Sequence, residues 1–292
     1  MDLVTGFPKN LAYTLKQLAN FNKQTVKVMP DCVNPSLGEV SCYKLPPGAL
    51  IDFRTIAIYA DVSLYTEGSL TDGSGYSLHL PRNTASLIQQ LTVTCNGVQL
   101  CNINDYNLLY NTLYDLEGAD YSQNSKRFLE NSDPSVFYYR ENTAAADSAI
   151  GVVNAQGNDA NNKEDKRPIV INNFLGFMGS LSTPVLDLND TGDIYIEIRW
   201  AQPNVCWGST NTTVPTSYTL TTGCAFDNLR MTCSRINFEN SEYYALKSQK
   251  LLSDGLLVGY YDYWTSRGTA VAKGSGVNMN FNVSTNSLDQ CI

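Results

Sequence analysis

The sequence is poor in the residues that most enzymes and metalloproteins use for chemistry. It contains a single histidine, His79, and no cysteine pair has the CxxC spacing that is typical of zinc sites. No GxSxG motif is present, and one histidine leaves little for a nucleophilic triad. The glycines of LGFMGS (175–180) do not match a dinucleotide-binding fingerprint. The sequence therefore predicts no catalytic residue, no cofactor and no metal site.

Charged residues are also scarce. They make up 16% of the 292 residues, below the usual share of about a quarter, and the formal net charge is −8. Because no basic cluster is present, specific nucleic-acid binding is not expected. No apolar run approaches the roughly 20 residues that span a bilayer, and the start MDLVTGFPKN is too polar for a signal peptide. We expect a soluble chain that is made without a Sec-type signal.

The eight cysteines do not predict a disulfide framework. Cys95 and Cys101 flank Asn96-Gly97, a strong two-residue hairpin turn. This turn would place Cys95 opposite Val98 and the two cysteines on opposite faces of the hairpin. We therefore predict free thiols, as in a reducing compartment.

One stretch partly matches a calcium-binding loop. In Asp187 to Glu197, the first, third and sixth positions fit, but Thr191 stands at the fifth and the glutamate comes one place early. That glutamate also lies in a strand pattern, not in a helix. A β-turn is therefore the preferred interpretation.

The clearest structural signal is the stretch from Ile169 to Trp200. At its end, Ile194, Ile196, Ile198 and Trp200 alternate with polar residues, which indicates a strand with one buried and one wet face. A proline break, a short apolar run and a polar turn precede this strand. Such closely spaced strands and turns favour antiparallel β structure over β-α-β units.

Similar patterns extend over most of the chain. Strands are predicted over 49–64, 76–80, 87–101, 256–264 and 277–283, and alternation restarts at Phe226 with Leu229, Met231 and Cys233. The period becomes helical at 105–117, where Tyr106, Tyr110 and Tyr114 share one face, and a second short helix is predicted at 122–131. Polar loops are predicted at 144–167 and 202–223, and 241–252 is either a helix or an extended connector.

Three regions follow from these patterns. Residues 1–44 are predicted as an N-terminal arm, with a short amphipathic helix whose apolar stripe is Leu11, Leu15 and Leu18. Residues 45–225 supply roughly the eight strands of one jelly roll. Residues 226–292 supply only three or four strands, the start of a second roll. We expect that the natural chain continues past Ile292 or that a partner completes this unit.

Several sequence blocks together resemble one family. They are LPPGALIDFRTIAIYADV, LPRNTASLIQQLTVTCNGVQL, YNLLYNTLYDL, SQNSKRFLEN and FLGFMGSLSTPVLDLNDTGDIYIEIRWA, followed by INFENSEYYALKSQKLLSDGLLVGYYDYW. Their order resembles that of the major capsid proteins of polinton-like viruses and virophages, in the adenovirus-like double jelly-roll lineage. The resemblance extends from about Lys44 onward. No catalytic signature is among these blocks.

The resemblance implies an all-β fold: a double jelly roll with short inserted helices, whose second roll is incomplete in this chain. It further implies a homotrimer that forms pseudo-hexagonal capsomers of an icosahedral shell around a double-stranded DNA genome. Expected partners are neighbouring capsomers, minor capsid, penton or cement proteins, or an internal membrane; no small-molecule substrate is expected. The expected location is the virion capsid, assembled inside the host cell.

Two alternatives come from other functional classes. A carbohydrate-binding β-sandwich could use tyrosines together with Trp207 and Trp264 as a sugar platform. A glycosidase would need two carboxylates that the fold brings together, which a sequence alone does not reveal.

Overall fold

The computed structural model describes residues 21–67, 76–78, 81, 83–116, 139–140, 167–202, 205, 207–209, 221–238, 241–253 and 258–265. The strands are β1 (Phe21–Val28), β2 (Val40–Lys44), β3 (Leu50–Glu67), β4 (Tyr76–Leu78), β5 (Ile88–Cys95), β6 (Val98–Ile103), β7 (Tyr139–Arg140), β8 (Arg167–Ile171), β9 (Val185–Asp187), β10 (Ile194–Trp200), β11 (Trp207–Ser209) and β12 (Thr221–Phe238). The helices are α1 (Tyr106–Leu116), α2 (Phe177–Ser180), α3 (Leu188–Thr191) and α4 (Ser241–Ser253), with a 3-10 turn at Thr84–Leu87.

The strand order is that of a jelly roll. One sheet has the order β1-β12-β3-β8, with β9 also paired to β3, and the facing sheet has the order β2-β10-β5-β6. All pairs are antiparallel. Along the chain, these eight main strands alternate between the two sheets except at the β5–β6 hairpin, as the two interlocked Greek keys of a jelly roll require. The predicted antiparallel jelly roll is confirmed, and a small third sheet, β11-β4-β7, lies beside it.

The structure moves both predicted boundaries of this roll. Residues 21–44 are not an arm, because β1 and β2 are edge strands of the two sheets. Nor does a new unit begin at residue 226, because β12 runs from Thr221 to Phe238 between β1 and β3. An edge strand has one neighbour and much exposed surface, so β1 has little apolar content and its sequence looks like that of an arm.

Some predictions for single strands, helices and loops are confirmed, and others are wrong. Strand β3, helix α1 and the alternation of β10 are confirmed. The predicted loop 202–223 instead contains β11 and the start of β12. The ambiguous stretch 241–252 is helical. The predictions for His79, the helix 122–131, the strand 277–283 and the loop up to Lys166 lie outside the described residues.

The β5–β6 hairpin has the predicted turn but a different register. Asn96 and Gly97 both have positive φ, 49° and 79°, as a type I′ turn requires. A bulge between Val93 and Thr94 leaves Leu100 without an opposite residue, so Cys101 faces Val93 instead of Thr92. The predicted pairing beyond the turn is therefore wrong by one residue on β6.

The core lies between the two main sheets and is closed on one side by α1. The rings of Tyr106, Tyr110 and Tyr114 stack along the buried face of this helix, with centroid distances of 5.9 and 6.4 Å. The hydroxyl of Tyr106 accepts the amide hydrogen of Leu175 at 3.0 Å. Asn83, which caps the 3-10 turn, donates to the side chain of Asn111 at 2.7 Å. These contacts hold α1 rigidly against the roll.

A buried carboxylate fastens the edge strand β1. Asp52 on β3 is only 5% exposed at its side chain, and it pairs with Lys23 of β1 at 3.3 Å and with Arg54 at 3.2 Å. Burial alone would raise the pKa of Asp52, but hydrogen bonds and charges from Arg54 and Lys23 outweigh it and lower that pKa. The ionised carboxylate therefore stabilises the fold.

This linkage predicts acid sensitivity. A carboxyl group whose pKa is lowered by folding contributes stability above its unfolded pKa, about 3.9, and loses it as pH falls through the folded value. The substitution Asp52→Asn should therefore destabilise the protein at pH 7, and the difference from wild type should shrink below about pH 4. Urea titrations at several pH values measure this. The control is Asp193→Asn. Asp193 pairs with Lys44 where both side chains are exposed, so this substitution should change the free energy of unfolding by only about 0–1 kcal/mol.

Candidate assembly surface

A segment that follows α4 covers the β6 edge of the roll. Residues Val258–Thr265, here called the return segment, were predicted as part of a strand but form no strand pairing. The amide of Ser182 donates to the carbonyl of Gly259 at 2.9 Å, and the amide of Gly259 donates to the hydroxyl of Ser182 at 3.1 Å. The Thr265 hydroxyl donates to the carbonyl of Asn104, just beyond β6, at 2.8 Å. The strand prediction is wrong because Ser180 and Ser182, which belong to no strand, satisfy the backbone of Gly259 and Tyr261.

Tyr260 anchors the return segment. Its ring meets the ring of Phe177 edge-on at 5.1 Å, and its hydroxyl donates to the carbonyl of Leu100 at 2.6 Å. Leu100 is the bulged residue of β6, so the tyrosine satisfies a carbonyl that lies at the irregular part of the ladder. Burial raises the pKa of Tyr260, which keeps this hydroxyl protonated and able to donate.

Large apolar side chains remain exposed around this anchor. Trp264 is 74% exposed, and Tyr261 is also more exposed than buried. On α1, which follows β6 after two residues, Leu108 and Leu116 are exposed in the same way. They stand eight residues apart on a helix, so they share its outer face. Exposed apolar side chains of this size mark an interaction surface where they form one contiguous patch.

An ion pair joins α4 to the end of β9. The ammonium group of Lys247 contacts Oδ2 of Asp187, and both side chains are largely buried. The other carboxylate oxygen of Asp187 accepts the amide hydrogen of Asn189 at 3.0 Å and caps α3. One carboxylate thus links the end of β9 to the helix that leaves the roll.

The same contacts involve the stretch that partly matches a calcium-binding loop. The predicted β-turn is in fact a short helix, α3, followed by Gly192 with φ of 86°. The first position, Asp187, is already occupied by Lys247 and by the α3 cap. Within the described ranges, no group of three or more His, Cys, Asp or Glu side chains could hold a metal ion.

The cysteines that the structure describes as free include four that are poorly suited to nucleophilic chemistry. Burial raises the pKa of Cys42, Cys95 and Cys101, and it raises that of Cys233 to about 11. A thiolate is the reactive form of cysteine, so these thiols remain protonated and unreactive at neutral pH.

The sequence-predicted site residues lie partly outside the described part of the chain. Leu11, Leu15 and Leu18 lie outside the described residues. Trp207 lies on β11, which pairs with β4 in the small third sheet, whereas Trp264 lies on the return segment beside β6. Nothing supports the predicted sugar platform. In the part of the chain that the structure describes, no helix is both long and apolar enough to cross a bilayer.

Sequence reasoning missed the Lys247–Asp187 pair and the anchor Tyr260. No local pattern reveals either contact, because Lys247 and Asp187 are 60 residues apart in the sequence. Tyr260 and its partner Leu100 are 160 residues apart. Only the unusual aromatic density of YYDYW pointed to Tyr260, and it favoured a strand there.

Comparison with known proteins finds no matching family model and no similar curated sequence. Among solved structures, the chain is similar to PBCV-1 VP54 fitted into a reconstruction of the virophage Sputnik, with 13% identity and a TM-score of 0.46 over 79% of this chain and 45% of that one. It is also similar to the structure of the Sputnik virophage, with 12% identity and a TM-score of 0.39 over 77% of this chain and 49% of that one. A third similar structure is the mavirus major capsid protein, with 14% identity and a TM-score of 0.37 over 77% of this chain and 48% of that one. The chain thus spans about half the length of these structures. Of these three, the mavirus structure is that of a major capsid protein.

Proposed function

We propose that this chain is a structural subunit of a viral capsid, a major capsid protein that acts by assembly and has no active site. The observation that carries the proposal is the complete jelly roll, with the order β1-β12-β3-β8 facing β2-β10-β5-β6. A jelly roll alone hosts several functions. Four of the sequence blocks that resemble double jelly-roll capsid proteins fall on β3, on the β5–β6 hairpin, on α1 and on β9 and β10, and this resemblance supports the capsid class among those functions.

A second roll would begin beyond the first. Helix α4 leaves the first roll after Phe238, and its ion pair to Asp187 sets the direction in which the chain continues. The return segment then contacts the β6 edge, and we propose that a second roll follows it. Two similar rolls in each of three subunits would give a trimer six similar corners, which suits a hexagonal lattice position.

The proposed partners are other copies of the chain, neighbouring capsomers and minor capsid, penton or cement proteins. The apolar stripe Leu11, Leu15 and Leu18 is proposed to face the inside of the shell, toward such proteins or an internal membrane. The proposed location is the virion, in a shell around a double-stranded DNA genome that is assembled inside the host cell.

Assembly of the purified chain tests this function. We expect trimers in sedimentation experiments and particles with a hexagonal outline in electron micrographs. Each interface should bury more than about 2,000 Å², as obligate complexes do. A chain that stays monomeric at high concentration and turns over a sugar or ester substrate would refute the proposal.

A further inference from the structure

Helix α4 leaves most of its described side chains exposed. Among them, Lys247, which contacts Asp187, is the one that is not exposed. Leu246 is 48% exposed and Leu252 is 89% exposed. A helix of 13 residues is only marginally stable by itself, because most helical stability in proteins comes from the packing of an apolar face. We therefore expect a further element to cover α4.

One side of α4 has the spacing of a face that packs against another helix. Ala245, Ser248 and Leu252 are exposed, and they follow one another at intervals of three and four residues, so they lie on the same side of the helix. Lys247 lies about 100° or more around the helix from each of them. The small side chains at 245 and 248 let a second helix approach closely. These three residues are here called the α4 outer face.

The N-terminal segment joins the roll where α4 begins. Strand β1 starts at Phe21, which is paired with Phe238, the last residue of β12. Ser241, the first residue of α4, follows three residues later. Because paired strands are about 5 Å apart, residues 1–20 enter the sheet about 5 Å from the point at which the chain leaves it toward α4.

Helix α4 stays at this end of the sheet. Lys247, in the middle of α4, contacts Asp187. Asp187 is paired with Leu50 of β3, which is in turn paired with Ile236 of β12. Helix α4 therefore lies across the sheet end at which β1 starts, and a segment that leads into β1 can lie beside it without crossing the roll.

The predicted N-terminal helix fits α4 in length and in pattern. A helix over residues 10–20 would be about 16 Å long, and α4 is about 20 Å long. Its apolar stripe, Leu11, Leu15 and Leu18, extends over seven residues, as the α4 outer face does, and this is the repeat of two helices that pack side by side. In an antiparallel pair, Leu18 would lie near the start of α4 and Leu11 near Leu252.

We infer that the predicted helix 10–20 packs its leucine stripe on the α4 outer face of the same chain. A tethered segment has an effective concentration in the millimolar range, so it competes well for this face against a second copy or a membrane. The inference goes beyond the proposed function, because the contact forms whether or not copies assemble. Within a capsid, this pair of helices is the surface that minor proteins or a membrane would meet inside the shell.

Hydrogen exchange of the full chain, measured by mass spectrometry, tests the contact from the side of α4. Leu252→Asp should speed exchange in residues 10–20 about 10-fold, because it places a charge against the leucine stripe. Leu246→Asp is the matched control and should leave this exchange unchanged. Leu246 is also exposed, but it lies about 120° from Leu252 around the same helix.

The reciprocal change should be seen in α4. Leu15→Asp should speed exchange in residues 241–253 about 10-fold, whereas Gln17→Asp, which lies outside the stripe of the same predicted helix, should not. Circular dichroism checks that each variant is folded. Where an aspartate variant does not fold, Leu252→Ala or Leu15→Ala replaces it, and exchange should rise in the same segments.

Three results would overturn the inference and leave the proposed function standing. The first is exchange in residues 10–20 that responds equally to Leu252→Asp and Leu246→Asp, or to neither. The second is protection of residues 10–20 that is lost on dilution, which would place the stripe on a second copy. The third is protection that appears only with phosphatidylserine vesicles, which would place the stripe on a membrane. Sedimentation tests the proposed function separately, and its failure would leave this contact unaffected.

Discussion

Replacing Trp200 with alanine should destabilise the roll by about 3–5 kcal/mol, the usual range for a buried tryptophan. Trp200 is fully buried on β10, and its ring lies 4.4 Å from that of Phe226 on β12 in the facing sheet. Its indole N–H also donates to the hydroxyl of Ser41, which is itself completely buried, at 3.0 Å. The substitution would therefore leave a cavity between the sheets and an unpaired hydroxyl. Chemical denaturation followed by circular dichroism measures the loss.

The matched control is Trp264→Ala. Trp264 is 74% exposed, so its removal should change the free energy of unfolding by no more than about 0.5 kcal/mol. The chain concentration must be low enough to keep copies apart, because Trp264 is a large exposed apolar side chain. Equal destabilisation by the two substitutions would mean that Trp200 does not join the sheets as described.

The burial of the Trp200 side chain could be predicted because the alternation that indicates it lies within a few neighbouring residues. Strict alternation from Ile194 to Trp200 fixes which side chains face the core, and the structure buries all four apolar residues of that face. The Asn96-Gly97 turn and the tyrosine face of α1 are local in the same sense. Each such element was found because its periodicity or its turn chemistry lies within a few neighbouring residues.

The roll's edges could not be predicted because they depend on distant partners. The register of β1 pairs Phe21 with Phe238, near the other end of the described chain, and no local pattern reveals that pairing. Prolines around β2 suggested an extended arm, although the segment between them pairs with β10. The return segment likewise lies at an edge, where Tyr260 contacts the carbonyl of Leu100 on β6. The candidate surface was therefore less predictable than the core.

Replacing Gly179 with alanine should disrupt the roll through the backbone alone. A Cβ atom there would lie 1.7 Å from the carbonyl oxygen of Phe174, and a backbone oxygen cannot move aside as a flexible side chain can. Either α2 or the chain at Phe174 would have to shift. Both carry core side chains, since Phe174 and Phe177 are buried and Phe177 meets Phe53 edge-on at 5.7 Å. We expect a loss of about 3 kcal/mol or more, at the upper end of the overpacking range.

Gly97→Ala separates this packing effect from the loss of a glycine as such. Gly97 has φ of 79°, but a Cβ atom there would meet nothing within 4 Å. Alanine adopts this left-handed backbone conformation less readily than glycine, so the substitution should lower the free energy of unfolding by about 1–2 kcal/mol. In urea titrations, Gly179→Ala should therefore have a lower midpoint than Gly97→Ala. A lower midpoint for Gly97→Ala than for Gly179→Ala would mean that the Phe174 carbonyl does not exclude a Cβ atom at position 179.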